Sequence, residues 1–321
     1  MSKSPFGSCC LSVVVPAKNA GHTISKTISS IISSSTIGAS YEVIVVDNFS
    51  VDDTCLKAKQ FKSVLLIKSY SNRVGGVRHD GIQASKGDII INTDADCILG
   101  PEYIRAACEA LEDPSVGAVG GVCLNPDNAT WVEQGWLLFE PPGLSGPANM
   151  LWGSSLALRR EVYEEVGGFD TTIEAGEDSK LTYRIQQAGY KTLYLPECSV
   201  IHLGNPKTLG DVFRKEIWHA SSFLQSKTSL LDKTFLATCV FLLAEVMFAL
   251  GWLMAPAVSL AGLLLGAAVV TVFTIHRFRR SRRKRITPDL VLKAWIVDWA
   301  YFAGRSVGLL KSIWKTFKKQ V

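Results

Sequence analysis

A chain of 321 residues with 47% hydrophobic residues and a mean hydropathy of +0.19 holds enough apolar material for one sizeable globular domain and something apolar beyond it. Residues 1–234 carry 21 Lys/Arg against 26 Asp/Glu, whereas from His276 onward 13 Lys/Arg face only Asp289 and Asp298. An acidic body with a basic tail argues against a nucleic-acid partner, which needs basic charge on the body itself.

The chain begins with a single short apolar run, Leu11–Val15, too short for a signal h-region. A buried strand is therefore expected there, with no cleaved leader and the body in the cytoplasm. The eight cysteines show no C-x-x-C pair and no histidine at zinc-finger spacing, so reduced thiols are the simple reading and disulfides the alternative. Beyond Leu11–Val15 the pattern predicts a helix over Thr23–Ile32, a strand over Tyr41–Val46, a helix over Asp52–Gln60 and a strand over Val64–Ile67. A helix over Gly75–Ser85 and a strand over Asp88–Thr93 come next. Strands alternating with helices at this spacing predict an α/β domain, Rossmann-like, with a mainly parallel sheet covered by helices on both faces. Ligands of such sheets sit beyond the carboxyl ends of the strands, where this sequence has Pro16-Ala17-Lys18-Asn19, Asp47-Asn48 and Asp94-Ala95-Asp96.

Asp94 and Asp96 are the sharpest pair. Residues i and i+2 of an extended segment project to the same side, so two carboxylates converge after a run of isoleucines. They repel unless a cation accommodates them, and a hard divalent ion completes its shell with phosphate oxygens and water.

The 41 residues from Phe235 to Ile275 carry one charge, Glu245, and break at Met254-Ala255-Pro256. The halves Phe235–Leu253 and Ala257–Ile275 would each span about 28 Å as helices, enough for a transmembrane hairpin. Lys227 and Lys233 before it, and seven Lys/Arg within Arg277–Arg285 after it, put both flanks on the cytoplasmic side. A buried soluble hairpin is the alternative. Past Pro288, Leu292, Trp295, Trp299, Phe302, Leu310, Trp314 and Phe317 recur at helical spacing with Lys311, Lys315 and Lys318 on another face. This predicts an amphipathic helix lying in the headgroup region, with a third span or a helix packed on the body as rivals. The expected divisions are residues 1–230, 235–275 and 276–321.

Five segments, VVVPAKNA at 13–20, VIVVDNFSVDDT at 43–54, VGGVRHDGIQASKGDIIINTDAD at 74–96, GSSLALRREVYEEVGGFD at 153–170 and GEDSKLTYRIQQAGYKTLYLP at 176–196, resemble in order the blocks of family 2 glycosyltransferases, which have the GT-A fold. The resemblance implies that Pro16, Lys18 and Asn19 form a loop near the nucleotide, that Asp47 contacts the base or ribose, and that Asn48 stands where a second Asp is frequent. Arg78 and Gly81 match the family's A-R-N-x-G segment, which makes Arg78 a donor-binding candidate, with Val77 and His79 as departures. Asp94 would bridge ribose or metal, Asp96 would be the principal ligand of Mg²⁺ or Mn²⁺, and the donor would be a UDP- or GDP-sugar. Glu177 and Asp178 match its E-D motif, with Asp178 as the base and Glu177 as the orienting or acceptor-binding neighbour. Acids in a helix's first turn also complement the helix dipole, the ordinary explanation for such a pair.

His202, in VIHLG beyond a strand predicted at Lys191–Tyr194, is a candidate metal or diphosphate contact, a structural histidine being the alternative. Trp152 is a candidate for stacking on a sugar or for the core. Phe213–Trp218 keeps a tryptophan but lacks the Gln and Arg of the Q-x-x-R-W segment of processive synthases. The expectation is thus a multi-pass protein of the cell membrane, working at its cytoplasmic face among membrane lipids. It would make single inverting transfers to a lipid-linked or saccharide acceptor, with no nucleic acid involved. A processive polysaccharide synthase, a nucleotidyltransferase and an inactive membrane scaffold are the alternatives.

Overall fold

The computed structural model of the protein describes residues 11–34, 41–221, 224 and 233–318. Cys9, Cys10, Lys227 and the expected boundary near Leu230 lie outside the described residues. In chain order the elements are β1 (Leu11–Ala17), α1 (Ile24–Ser34), β2 (Tyr41–Asp47), α2 (Thr54–Ala58), β3 (Val64–Lys68), α3 (Val74–Ala84), β4 (Ile89–Thr93), β5 (Cys97–Leu99), α4 (Tyr103–Leu111), β6 (Val116–Gly120) and β7 (Cys123–Leu124). Next come α5 (Trp131–Trp136), β8 (Gly146–Pro147), β9 (Ser155–Arg159), α6 (Arg160–Glu165), α7 (Glu177–Gln187), β10 (Lys191–Tyr194), β11 (Val200–His202), α8 (Leu209–Ala220), α9 (Lys233–Met254), α10 (Pro256–Ser281) and α11 (Pro288–Lys318).

Two compact units emerge. The first comprises Met1–Pro126, Phe139–Thr172 and Glu177–Gly204; the second comprises Asp127–Leu138, Ile173–Gly176 and Asn205–Val321. The second unit thus includes α8 and two segments from within the expected body, a grouping that hydrophobic periodicity does not reveal.

The first unit is built on an eight-stranded sheet in the order β3-β2-β1-β4-β9-β6-β10-β8. The pairs β3/β2, β2/β1, β1/β4 and β6/β10 are parallel, as the βα alternation predicts, while β9 runs antiparallel to both β4 and β6. Both faces are buried. Val13, Val15, Val43, Val45 and Ile91 pack into one layer with α1 and α4, and Val14, Ile44, Val46 and Ile90 into the opposite layer with α3 and α7. Near-continuous Val/Ile strands are what a doubly covered sheet requires. Gly81 lets α3 approach the sheet: a Cβ there would lie 2.4 Å from Val14 Cγ1 and 2.6 Å from Val46 Cγ2. Helix α2 starts later than expected because Asp52 is engaged outside it, accepting from Thr54 N at 3.0 Å and from Gly21 N at 2.9 Å. A separate three-stranded sheet, β5-β11-β7, carries the antiparallel pair β5/β11.

In the second unit α9 and α10 are joined at Ala255 with Pro256 opening α10, the position where proline's missing N–H costs no hydrogen bond. They pack closely at small residues: a Cβ on Gly262 would lie 2.7 Å from Ala244 O, and Ser259 Oγ donates to Phe248 O at 2.9 Å. Long apolar side chains such as Leu243, Leu250, Trp252, Leu260, Leu264 and Val272 point outward and are exposed. Helix α11 packs on α8 where Gly304 and Gly308 bring backbones together, and a Cβ on either would lie within 2.6 Å of Phe213 O or Ile217 O. Its Asp298 is buried and paired with Arg277 and Thr274. Leu292, Leu310, Trp314 and Phe317 remain exposed.

Glu216 of α8, 1% exposed, accepts from Arg305 Nε at 2.5 Å and meets His219 Nδ1 at 2.7 Å. Burial pulls its carboxyl upward, but Arg305 and His219 outweigh that and depress it to about 2. Its stabilising contribution is therefore complete above the ordinary glutamate range and fades as pH falls toward 2. Glu216→Gln removes the buried carboxylate charge that faces Arg305 and is expected to destabilise the protein by about 3–5 kcal/mol at neutral pH, with Arg305→Met in the same chain recovering much of the loss. Thermal unfolding in detergent from pH 7 to 3 checks both effects, since the variant should lack the acid-dependent loss attributed to Glu216.

Candidate active site

The carboxyl ends of β1 and β2 lie side by side, Ala17 opposite Asp47. Asn48 N donates to Ala17 O at 2.8 Å, and its amide Nδ2 donates to Ser69 O and Ser71 O at 3.2 and 2.8 Å. A carboxylate at position 48 could not make those two bonds, so the departure from a second Asp has a structural use. Asn19 adopts a left-handed backbone (φ 51°), a conformation asparagine tolerates better than most residues, and its Oδ1 accepts from Val51 N at 2.9 Å. Asp47 is 4% exposed and accepts from Ser50 N at 3.2 Å. Pro16 ends half-buried within β1, and Lys18 is exposed.

Beyond β4 the chain turns through Asp94-Ala95-Asp96 into β5. The antiparallel register sets Cys97 opposite His202, and Leu203 N donates to Asp96 O at 2.8 Å. One ligand atom from each of Asp94, Asp96, Cys97 and His202 therefore falls within 4.8 Å of the others, with His202 Nε2 3.7 Å from Asp96 Oδ1. Gly204 leaves room for the aspartate: a Cβ there would lie 1.8 Å from Asp96 Oδ2. Burial, together with Asp96 and Asp94, pushes the Cys97 thiol well up, which keeps it protonated and a poor ligand. The remaining two carboxylates and one imidazole are a donor set that suits Mg²⁺ or Mn²⁺.

Arg78 of α3 joins this cluster to the acidic pair on α7. Its side chain is 5% exposed, Nη2 donates to Asp94 Oδ1 at 2.6 Å, and Nη1 pairs with Glu177 Oε1. Burial works against the guanidinium charge, and Asp94, Glu177 and Asp178 hold it on. Burial also pushes the Glu177 carboxyl up, against the opposing pull of Arg78. Asp178 is only partly buried; its Oδ2 accepts from Gly153 N at 3.0 Å and its Oδ1 from Ser179 N at 2.7 Å. Trp152 packs against Phe139 and Tyr194, ring centroids 5.8 Å away in each case, at the edge of the core layer.

The structure thus brings Asp94, Asp96, His202, Arg78, Glu177 and Asp178 together, and groups Pro16, Lys18, Asn19, Asp47 and Asn48 at the ends of β1 and β2. Sequence reasoning missed Cys97, Gly153 and Gly204 as parts of the site. The adjacency of Cys97 to Asp96 was visible, but its pairing with β11 and the clearance required at both glycines come from tertiary contacts.

The profile described as glycosyl transferase family 2 matches residues 12–167, and that described as glycosyl transferase family 21 matches residues 143–304. The chain is a glycosyltransferase of GT-A fold, with the family 21 profile spanning just over half of it and the family 2 profile just under half. It is similar to the glycosyltransferase AglE of Haloferax volcanii, 26% identical over 64% of this chain and 70% of that one. It is also similar to an N-acetylglucosaminyltransferase of Mesorhizobium japonicum, 28% identical over 66% of this chain and 55% of the relative, so it spans about half of that protein's length. Among solved structures, the mannosyltransferase PcManGT from Pyrobaculum calidifontis, in complex with GDP-Man and Mn²⁺, matches 95% of this chain and 87% of its own with a TM-score of 0.59 at 18% identity, which shows the shared fold.

Gly153 permits the Arg78 bridge: a Cβ there would lie 2.6 Å from Arg78 Cζ and 2.8 Å from both terminal nitrogens. Gly153→Ala is expected to dislodge the guanidinium from Asp94 and Glu177 and to lower turnover at least tenfold with little change in far-ultraviolet circular dichroism. Turnover within twofold of the unaltered enzyme would show that the bridge is dispensable.

Proposed function

We propose that the protein is an inverting, divalent-metal-dependent glycosyltransferase that moves one sugar at a time from a UDP- or GDP-sugar to a hydroxyl of a lipid-linked or membrane-proximal acceptor at the cytoplasmic face of the membrane. The observation that carries the reading is the buried Arg78 bridge between a metal-competent cluster and an acidic pair in which only Asp178 retains solvent access. Asp94, Asp96 and His202 would hold Mg²⁺ or Mn²⁺, which when bound neutralises charge on a departing nucleoside diphosphate. The Mn²⁺ of the structurally similar mannosyltransferase complex supports this choice.

The residues then divide the work. Asp178 takes the proton from the acceptor hydroxyl as its oxygen bonds to the anomeric carbon, and the bond from that carbon to the diphosphate oxygen breaks with its electron pair. Glu177, buried and held by Arg78, positions α7 and its neighbour without touching substrate. Lys18 and Asn19 after β1, and Asp47 at the end of β2, bind the nucleotide. Attack from the side opposite the leaving group inverts the anomeric centre.

Membrane attachment rests on the outward-facing apolar side chains of α9 and α10. Only 22% and 28% of their most apolar windows are buried, whereas a soluble core helix would be mostly covered. The basic run Arg277–Arg285 supports a cytoplasmic location for the end of α10.

Asp96→Asn should reduce metal-stimulated release of nucleoside diphosphate by about 10²-fold or more, mostly through weaker donor binding. Full activity in chelator-treated protein would overturn metal dependence, and release of pyrophosphate instead would assign a nucleotidyltransferase. Asp178→Asn is expected to keep donor affinity within a few-fold while turnover falls by about 10²–10⁴. Isothermal titration with the donor, alongside single-turnover assays, separates the two; retained turnover would move the base to another group.

A further inference from the structure

At the end of α10 the second unit contains a cavity of about 510 Å³ whose wall is apolar: Ile275 and Phe278 of α10, Ile286 from the following turn, and Val291 and Trp295 of α11. Trp295 Nε1 in that wall donates to Thr271 Oγ1 at 3.1 Å. Arg279, Arg282 and Arg283 also line it. Arg282 ends α10 in a left-handed conformation (φ 52°), the kind of position glycine usually takes. Arg277, nearby on the same helix, is neutralised by buried Asp298, but among the described residues neither Arg279 nor Arg282 has a carboxylate partner. A hydrophobic trough thus meets uncompensated cationic charge, with an indole beside it as at membrane–water boundaries.

We propose that this cavity binds an anionic phospholipid, its phosphate held by Arg279 and Arg282 and one acyl chain lying along Ile275, Phe278 and Trp295. Charge complementarity selects an anionic lipid over a zwitterionic one, because a choline headgroup would set a second cation against the arginines. None of the residues assigned to sugar transfer lines the cavity, so the bound lipid is a resident one and not the reacting acceptor. The inference rests on the membrane attachment proposed above for α9 and α10.

The test uses the full-length protein in nanodiscs of phosphatidylcholine with or without phosphatidylglycerol, followed by native mass spectrometry. The expected result is retention of one phosphatidylglycerol in preference to phosphatidylcholine. The double variant Arg279→Gln/Arg282→Asn, with asparagine chosen because it tolerates left-handed backbone, should reduce that retention about tenfold, and lysine at both positions should restore most of it. Equal retention of the two lipids, or unchanged retention in the double variant, overturns the proposal. In unaltered protein, brominated phosphatidylglycerol should quench the fluorescence lost in Trp295→Phe at a lower mole fraction than brominated phosphatidylcholine does; equal quenching also overturns it. Purification without detergent as a soluble protein would overturn the membrane attachment as well, whereas incorporation without lipid preference sinks this inference alone.

Discussion

The first unit's chemistry depends on one buried guanidinium. Arg78 lies between a carboxylate from the end of β4 and one from the start of α7 and pairs with both, which offsets the repulsion between them. Each neighbour of the bridge makes room for it. Gly153 has no Cβ to meet its guanidinium, and Gly75 allows α3 to pass Glu177, whose Cβ would be 3.1 Å from a side chain at position 75. Removing one member of such a buried pair leaves an uncompensated charge, so the bridge fixes the relative placement of β4, α3 and α7 more tightly than apolar packing alone.

Much of the first unit was legible because its strands are buried on both faces and succeed one another at βα spacing. Leu11–Ala17, Tyr41–Asp47 and Ile89–Thr93 announce themselves as Val/Ile runs, and the segment after each is short and polar, which marks the ligand end of the sheet. Strand β9 was not legible. Its SLALR sequence gives no sign that it runs antiparallel between β4 and β6, a pairing set by the long excursion of the chain through β5, α4 and β7. His202 was a candidate from its place after a predicted strand, but it stands 106 residues beyond Asp96, and its approach to that residue follows from the pairing of β11 with β5, which the sequence does not announce.

The tail shows a different limit. Helical periodicity correctly marks a helix past Pro288, but it sorts residues by polarity, and α11 buries some of its polar ones. Asp298 and Ser306 face inward, while Leu292, Leu310 and Trp314 face out. A buried aspartate needs a partner that periodicity does not name, and here that partner is Arg277 at the far end of another helix. One charged residue of the basic run is thereby consumed in packing, which is why counting Lys/Arg in Arg277–Arg285 overstates the charge available to a surface.

A parallel consequence holds at the proposed catalytic centre. Both terminal nitrogens of Arg78 are engaged by carboxylates, so much of its charge is already compensated before a nucleoside diphosphate arrives. A leaving group that gains negative charge needs compensation from elsewhere, and Lys18 is exposed at the end of β1, a single flexible cation with strong hydration to lose. The cluster of Asp94, Asp96 and His202 offers the other route in the proposed mechanism: it would hold a divalent cation that supplies the compensating charge. Asp94 is also held by Arg78, so occupancy of a cluster that includes Asp94 would bear on Glu177 through the charge-assisted hydrogen bonds of Arg78. This is the physical reason to expect donor binding and the acidic pair on α7 to respond together to the metal within the proposed mechanism.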